Sequence, residues 1–169
     1  MKKNKFSKNW IIQQKRDIYV KQSKIEGYKS RAVYKLKEIN EKFKILKNGI
    51  SVVDLGAAPG SWSQFVARKY KNTKIVSIDL KEMKEIEDIH QIVGDFTEEN
   101  QKKKIIDFFG GKIDAVISDM AVNTTGNKSL DSIVTVELSI EALNFSIEIL
   151  KKQGCFVSKI FMGPSFNEI

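Results

Sequence analysis

The chain has 169 residues, 41% of them hydrophobic and 30% charged, a balance that suits a single soluble domain with one core and excludes an unfolded, purely charged tail. No run approaches the roughly 20 apolar residues of a membrane span, and the polar, lysine-rich start lacks the apolar core of a secretory leader, so a reducing cytoplasm is expected. With one cysteine and one histidine, Cys155 and His90, there is no zinc constellation, and a net charge of +8 points to a polyanionic partner.

That charge is unevenly placed. Residues 1–47 hold 15 Lys/Arg against 4 Asp/Glu, whereas residues 48–169 hold 14 against 17. Lys2, Lys3, Lys5, Lys8, Lys15 and Arg16, then Lys21, Lys24 and Lys29, are interleaved with Phe6, Trp10, Tyr19 and Tyr28. Such a mixture suits phosphate contacts combined with base or ribose stacking. Residues 1–28 are therefore expected to form a basic RNA-binding segment and residues 29–169 the folded domain. From Arg31 a helical pattern begins. Ala32, Leu36, Ile39, Phe43 and Leu46 fall at three- and four-residue spacings and are expected to form its buried stripe, with Lys35 beside that stripe.

The run SVVDLGAAPGSW, residues 51–62, reads as a buried parallel strand turning through a glycine-rich loop into a helix. Gly56 and Gly60 allow a close backbone approach to a ligand. The loop has neither the Gly-Lys-Ser/Thr ending of a phosphate-binding loop nor the G-x-G-x-x-G of a dinucleotide site, so a nucleoside-like ligand is favoured. After a helix to about Tyr70, residues 74–80 form a second strand that delivers Asp79 to the carboxyl edge of the sheet, where an acid accepts hydrogen bonds from ribose hydroxyls. A third strand, residues 89–93, ends in Gly94-Asp95-Phe96, and Asp95 is placed to accept from an adenine amino group. A fourth, residues 113–118, runs into Asp119 on the same edge.

A helix over residues 98–109 precedes that fourth strand, and a polar loop over 123–129 follows it. A long helix is expected from about Asp131 to Lys152, capped by Asp131 or Ser132, with Val136, Ile140, Leu143, Ile147 and Leu150 as its apolar side and Gly154 as its stop. The fifth strand, Cys155 to Phe161, is apolar apart from Ser158 and Lys159, and Cys155 serves there as a small hydrophobe. A lysine in such a run is costly unless it lies at the strand's exit or meets a carboxylate, and Asp119 at the exit of the adjacent strand is the expected partner. The fold class is α/β: a doubly wound, mostly parallel, Rossmann-like sheet.

The ordered set DLGAAPGSW, Ile78-Asp79, GDF at 94–96, SDMAVN at 118–123 and FVSKIFMG at 156–163 resembles the FtsJ/RrmJ family of S-adenosylmethionine-dependent RNA 2′-O-ribose methyltransferases. SRAVYKLKEI, residues 30–39, is similar to the helix carrying that family's first lysine. The resemblance implies a methyltransferase domain with S-adenosylmethionine as cofactor. It also implies Gly60, Trp62, Asp79, Asp95 and Asp119 as cofactor contacts, Lys159 as proton acceptor, Lys35 as a second lysine positioning the hydroxyl or phosphate, and Asp119 as the carboxylate orienting them. A uridine of large-subunit (23S) ribosomal RNA is the substrate implied for a chain of this size.

The family pattern continues past the fifth strand through an antiparallel pair bearing a catalytic glutamate. The sequence ends at Ile169, before that position, and Glu168 matches an earlier acid of the pattern. The fifth strand is then expected to stand as a hydrophobic edge open to strand addition. Val122 replaces the family's usual proline, and Pro164-Ser165 departs from its FxG loop. Two alternatives follow: a catalytically weak module that binds S-adenosylmethionine and RNA during ribosome assembly, or a methyltransferase acting on transfer RNA.

Overall fold

The computed structural model describes residues 17–120 and 128–160. The loop residues Val122 and Asn123, together with Pro164-Ser165 and Glu168, lie outside them. The elements are helix α1 (Ile18–Ile25), helix α2 (Val33–Phe43), strand β1 (Ser51–Leu55), helix α3 (Ser61–Lys69), strand β2 (Lys74–Asp79), strand β3 (His90–Val93), helix α4 (Glu99–Phe109), strand β4 (Ile113–Ser118), helix α5 (Lys128–Ile149) and strand β5 (Leu150–Ser158). Every strand pair is parallel and the spatial order is β3-β2-β1-β4-β5. This is the doubly wound order, with the switch point beside β1. Among the described residues no helix is long and apolar enough to cross a membrane.

Alternation along the strands splits the core in two. Val52, Ile75, Ala115 and Ile117 face α2 and α3, packing against Leu36, Trp62 and Phe65. Val53, Leu55, Val76, Ile78 and Val116 face the opposite way and pack against Ile105 of α4 and Ala142, Phe145 and Ile149 of α5. Burial on both faces is why these strands read as continuous apolar runs.

Two expected helical stripes are corrected. In α2 the buried side chains are Val33, Tyr34, Leu36 and Asn40. Ile39 is only half-buried, Phe43 is 62% exposed, and Leu46 packs in the core from beyond the helix end. Phe43 is the last residue of the helix, and Lys44 directly after it ends the helix in a left-handed conformation, φ 53°. In α5, Val136 is buried, but Ile140 and Ile147 face solvent, and the packed positions are Ala142, Phe145 and Ile149 together with Thr135, Ser139 and Ser146. Each of these hydroxyls donates to the carbonyl four residues back, at 2.7, 2.9 and 2.6 Å, so burying it leaves no unmade hydrogen bond.

The junction between α5 and β5 is also shifted. The helix starts at Lys128, which puts Asp131 in its first turn rather than at the cap, and it ends at Ile149 rather than Lys152. Gly154 does not stop the helix. It lies in β5 where the register slips between Ile113↔Leu150 and Ala115↔Cys155, and a Cβ there would stand 3.1 Å from the Asp114 carbonyl. Glycine is required by that close approach of two backbones. Among the described residues β5 forms one edge of the sheet, and Cys155, Phe156 and Val157 are half-buried along it.

The segment before α2 is tied to α3. Gln64 and Arg68 donate to the carbonyls of Gly27 and Glu26, each at 3.0 Å, and Ser30 Oγ meets Ser61 Oγ at 2.8 Å. Ion pairs join Arg31 to Asp17 and Lys37 to Glu26. These bonds fix the direction in which α2 leaves the strap, and so the place of Lys35.

Candidate active site

The carboxyl ends of β1, β2, β3 and β4 surround a cavity of about 920 Å³, within the range of small-molecule and cofactor sites. Its apolar lining includes Ile78, Leu80, Met83, Phe96, Met120 and Leu138; its acids include Asp79, Asp95 and Asp119. Asp79 is held on both oxygens. Oδ2 accepts from the Ala58 N–H at 2.9 Å and Oδ1 from the Lys81 N–H at 2.8 Å, which locks the glycine loop to the end of β2. Each carboxylate oxygen retains a second lone pair for a ligand hydroxyl. Asp95 accepts from the Thr97 N–H and hydroxyl at 2.9 and 2.7 Å, both on Oδ1, which leaves Oδ2 for a ligand.

At the β4 and β5 end the expected charges come together. Lys35 Nζ lies 2.9 and 3.0 Å from the two carboxylate oxygens of Asp119, and Lys159 Nζ lies 3.2 Å from Oδ1. Lys159 Nζ also faces the Asp119 carbonyl oxygen at 3.4 Å. Position follows from the sheet: Lys159 is the first residue beyond β5, and its N–H continues the ladder to the Ser118 carbonyl at 2.9 Å. Residues 124 positions apart in the chain are thus bridged by one carboxylate at the cavity wall. The lysine needed no partner inside the apolar run, because it sits at the run's exit.

Gly60 and Trp62 are not among the residues that line the cavity, although Gly60 directly follows Pro59 of the lining. Gly60 has φ 99°, a conformation that favours glycine, and a Cβ there would be 2.6 Å from the end of the Ile86 side chain, which would have to shift. Trp62 is buried, and its indole N–H donates to the Ala32 carbonyl at 2.8 Å, holding the start of α2 against α3. Gly56, with φ 68°, is overlain by Met120, whose Cγ would stand 2.1 Å from a Cβ at that position.

Asp54, which opens the DLG run, is a buried titratable group that periodicity alone did not assign. It is 1% exposed and accepts from the Ser63 N–H at 3.0 Å and the Ser63 hydroxyl at 2.7 Å; that hydroxyl meets Ser77 Oγ at 2.5 Å. Burial pushes its carboxyl up to about 7, against the lowering effect of the Ser63 hydrogen bonds and with the charges of Asp119 and Asp79 adding to the rise. The signal was in the sequence. An acid between Val53 and Leu55 in a strand buried on both faces must have built partners.

Chemically, the cavity offers carboxylates to hydroxyl and amino groups at one side, apolar walls for a flat ring, and a lysine–aspartate–lysine cluster at the other. Comparison with known proteins gives the same picture. The sequence model of the FtsJ-like methyltransferase family matches residues 28–169. A relative from Pelagibacter ubique, ribosomal RNA large subunit methyltransferase E, is 63% identical over the whole chain, which covers 83% of that relative. The protein of the same name from Rickettsia akari is 47% identical over 96% of this chain and 74% of its own length. A crystal structure described as that of a ribosomal RNA methyltransferase from Plasmodium falciparum superimposes with a TM-score of 0.76 at 32% identity, covering 83% of this chain and 82% of that one.

Proposed function

The chain belongs to the FtsJ-like methyltransferase family, and from that premise we propose that it methylates the 2′-hydroxyl of a ribose in large-subunit ribosomal RNA, with S-adenosylmethionine as methyl donor. The observation that carries the reading is the convergence of Lys35 and Lys159 on Asp119, which lines a cavity that also presents Asp79 and Asp95. The donor set fits the cofactor: acids for ribose hydroxyls and the adenine amino group, and Leu80, Phe96 and Met120 for the ring and thioether regions.

When bound, S-adenosylmethionine supplies a methyl group already activated by its sulfonium, so the protein must position a weak nucleophile and remove its proton. Nζ of Lys159, as the free amine, accepts the proton of the ribose 2′-hydroxyl. Asp119 aims that amine and holds Lys35, whose ammonium steadies the attacking oxygen or the adjoining phosphate. The apolar lining keeps water from competing for the methyl group. Residues 1–28 serve as the basic segment that grips the RNA backbone, and residues 29–169 as the methyltransferase domain acting beside ribosomes in the cytoplasm.

The test is methyl transfer from labelled S-adenosylmethionine to undermethylated large ribosomal subunits, comparing the chain with Lys159→Ala and locating the label by nucleotide analysis. Label on a 2′-oxygen of large-subunit RNA that falls at least about a hundredfold in the variant supports the reading. Label insensitive to Lys159, or found on a base, rejects it.

A further inference from the structure

The cavity contains one cation whose setting the chemistry above does not use. Lys29 lies on its wall, half-buried, with its stem over the glycine turn: its Cδ would be 3.6 Å from a Cβ at Gly60. Its Nζ donates to the Lys84 carbonyl at 2.8 Å, and among the described residues no carboxylate pairs with it. Burial and the nearby Lys84 charge lower its pKa from the ordinary lysine value. An ammonium that has lost part of its water and gained only one neutral acceptor retains donors for an anion.

Its position is built rather than incidental. The Lys29 N–H donates to Gln64 Oε1 at 3.0 Å, the same Gln64 holds the Gly27 carbonyl, and the neighbouring Ser30 is tied to Ser61. The backbone that carries Lys29 is therefore fixed to the first turns of α3, and six residues later the same strap delivers Lys35 to Asp119. Lys81 and Lys84 also line the cavity, but both are exposed and keep their hydration, so an anion gains less from them.

We propose that Lys29 is a cofactor-binding residue that takes the α-carboxylate of the methionine moiety of S-adenosylmethionine. The inference rests on the methyl donor proposed above. That molecule carries two positive groups and one negative one. The positive groups suit a cavity lined by Asp79, Glu82, Asp95 and Asp119, acids that disfavour a carboxylate. Lys29 gives the carboxylate a half-buried cation whose backbone is held in place by Gln64.

The test compares two ligands that differ in the amino-acid portion: S-adenosylhomocysteine, which has the carboxylate, and 5′-methylthioadenosine, which lacks it. Affinities are measured by calorimetry for the unaltered chain, Lys29→Met and Lys84→Met, with the thermal midpoint of each free protein as a check on folding. Lys29→Met is expected to weaken S-adenosylhomocysteine about ten- to a hundredfold and to leave 5′-methylthioadenosine within about twofold. Lys84→Met is expected to change neither by more than about twofold.

Equal loss for both ligands would reduce Lys29 to a wall of the cavity, and no loss for either would leave it outside the site; both overturn the proposal. So does a drop in RNA affinity at unchanged S-adenosylhomocysteine affinity, which would make Lys29 a phosphate contact. Should the unaltered chain bind neither ligand, the methyl-donor assignment itself fails, a result distinct from any change confined to the variant.

Discussion

Asp54 and Asp119 belong to adjacent strands of one sheet, yet the first has its carboxyl sealed beneath Ser63 and Ser77 while the second stands between two lysines at a cavity wall. Burial raises the proton affinity of Asp54 and makes it a structural tie between β1, α3 and β2. Asp119, at the strand exit, keeps cationic partners and access to a ligand. The difference shows how one residue type on adjacent parallel strands is either sealed into the scaffold or left facing a cavity, according to its depth.

The largest expected effect that separates them is on turnover. Asp119→Asn removes the charge that aims Lys159 and holds Lys35, so single-turnover methyl transfer is expected to fall at least about a hundredfold. Because the two ion pairs are partly exposed, the unfolding free energy should change by no more than about 1 kcal/mol. A variant that loses stability instead, with transfer intact once folded, would put Asp119 in the scaffold beside Asp54 and dissolve the distinction.

Asp54 is expected to behave in the opposite way. Asp54→Ala leaves the Ser63 N–H and hydroxyl without their acceptor in a dry interior, at a cost of about 2–3 kcal/mol in chemical denaturation. The pH dependence has a definite sign. The folded state holds the Asp54 proton up to about pH 7, whereas an unfolded aspartate releases it near pH 4, so between those values the folded chain binds more protons. Its contribution to stability therefore falls as pH rises through that window, by an amount of order 1–4 kcal/mol, and is level outside it. Asp54→Asn, which is neutral throughout, should flatten this part of the stability profile. A wild-type profile that rises over the same window relative to the asparagine variant would show that the carboxyl is ionised as it folds.

The same contrast of depth explains how much was legible beforehand. Asp119 and Lys159 were readable because a charged residue at the exit of an apolar strand stands out against its surroundings, and parallel topology brings strand exits together; Lys35, inside helix α2, was singled out only by its place in SRAVYKL. Asp79 and Asp95 were readable for the same reason. The packed face of α5 was not, since apolar residues occur around its whole circumference and Thr135, Ser139 and Ser146 satisfy their own hydroxyls. Phe43 misled because spacing alone does not register the left-handed turn at Lys44. The hydrogen bond from the Trp62 indole N–H to the Ala32 carbonyl was not legible either, being a contact between residues 30 positions apart that no local pattern encodes.

Ser77→Ala gives the smallest and most selective expected effect. The Ser63 hydroxyl has one proton, and with Asp54 ionised it is committed to the carboxylate, so the 2.5 Å contact with Ser77 must be made by the Ser77 proton. Removing that donor leaves a lone pair of Ser63 unsatisfied in a fully buried position and is expected to cost about 1 kcal/mol. It also makes Ser63 a poorer donor, so the stability loss should be larger at pH 8, where Asp54 is charged, than at pH 5. Methyl transfer by the folded variant should stay within about twofold of the unaltered chain, because the Ser77 hydroxyl meets Ser63 and Ser77 is not among the residues lining the cavity. A loss of transfer larger than that, at unchanged stability, would mean that the buried network is coupled to the chemistry at Asp119 and that depth does not divide the two carboxylates.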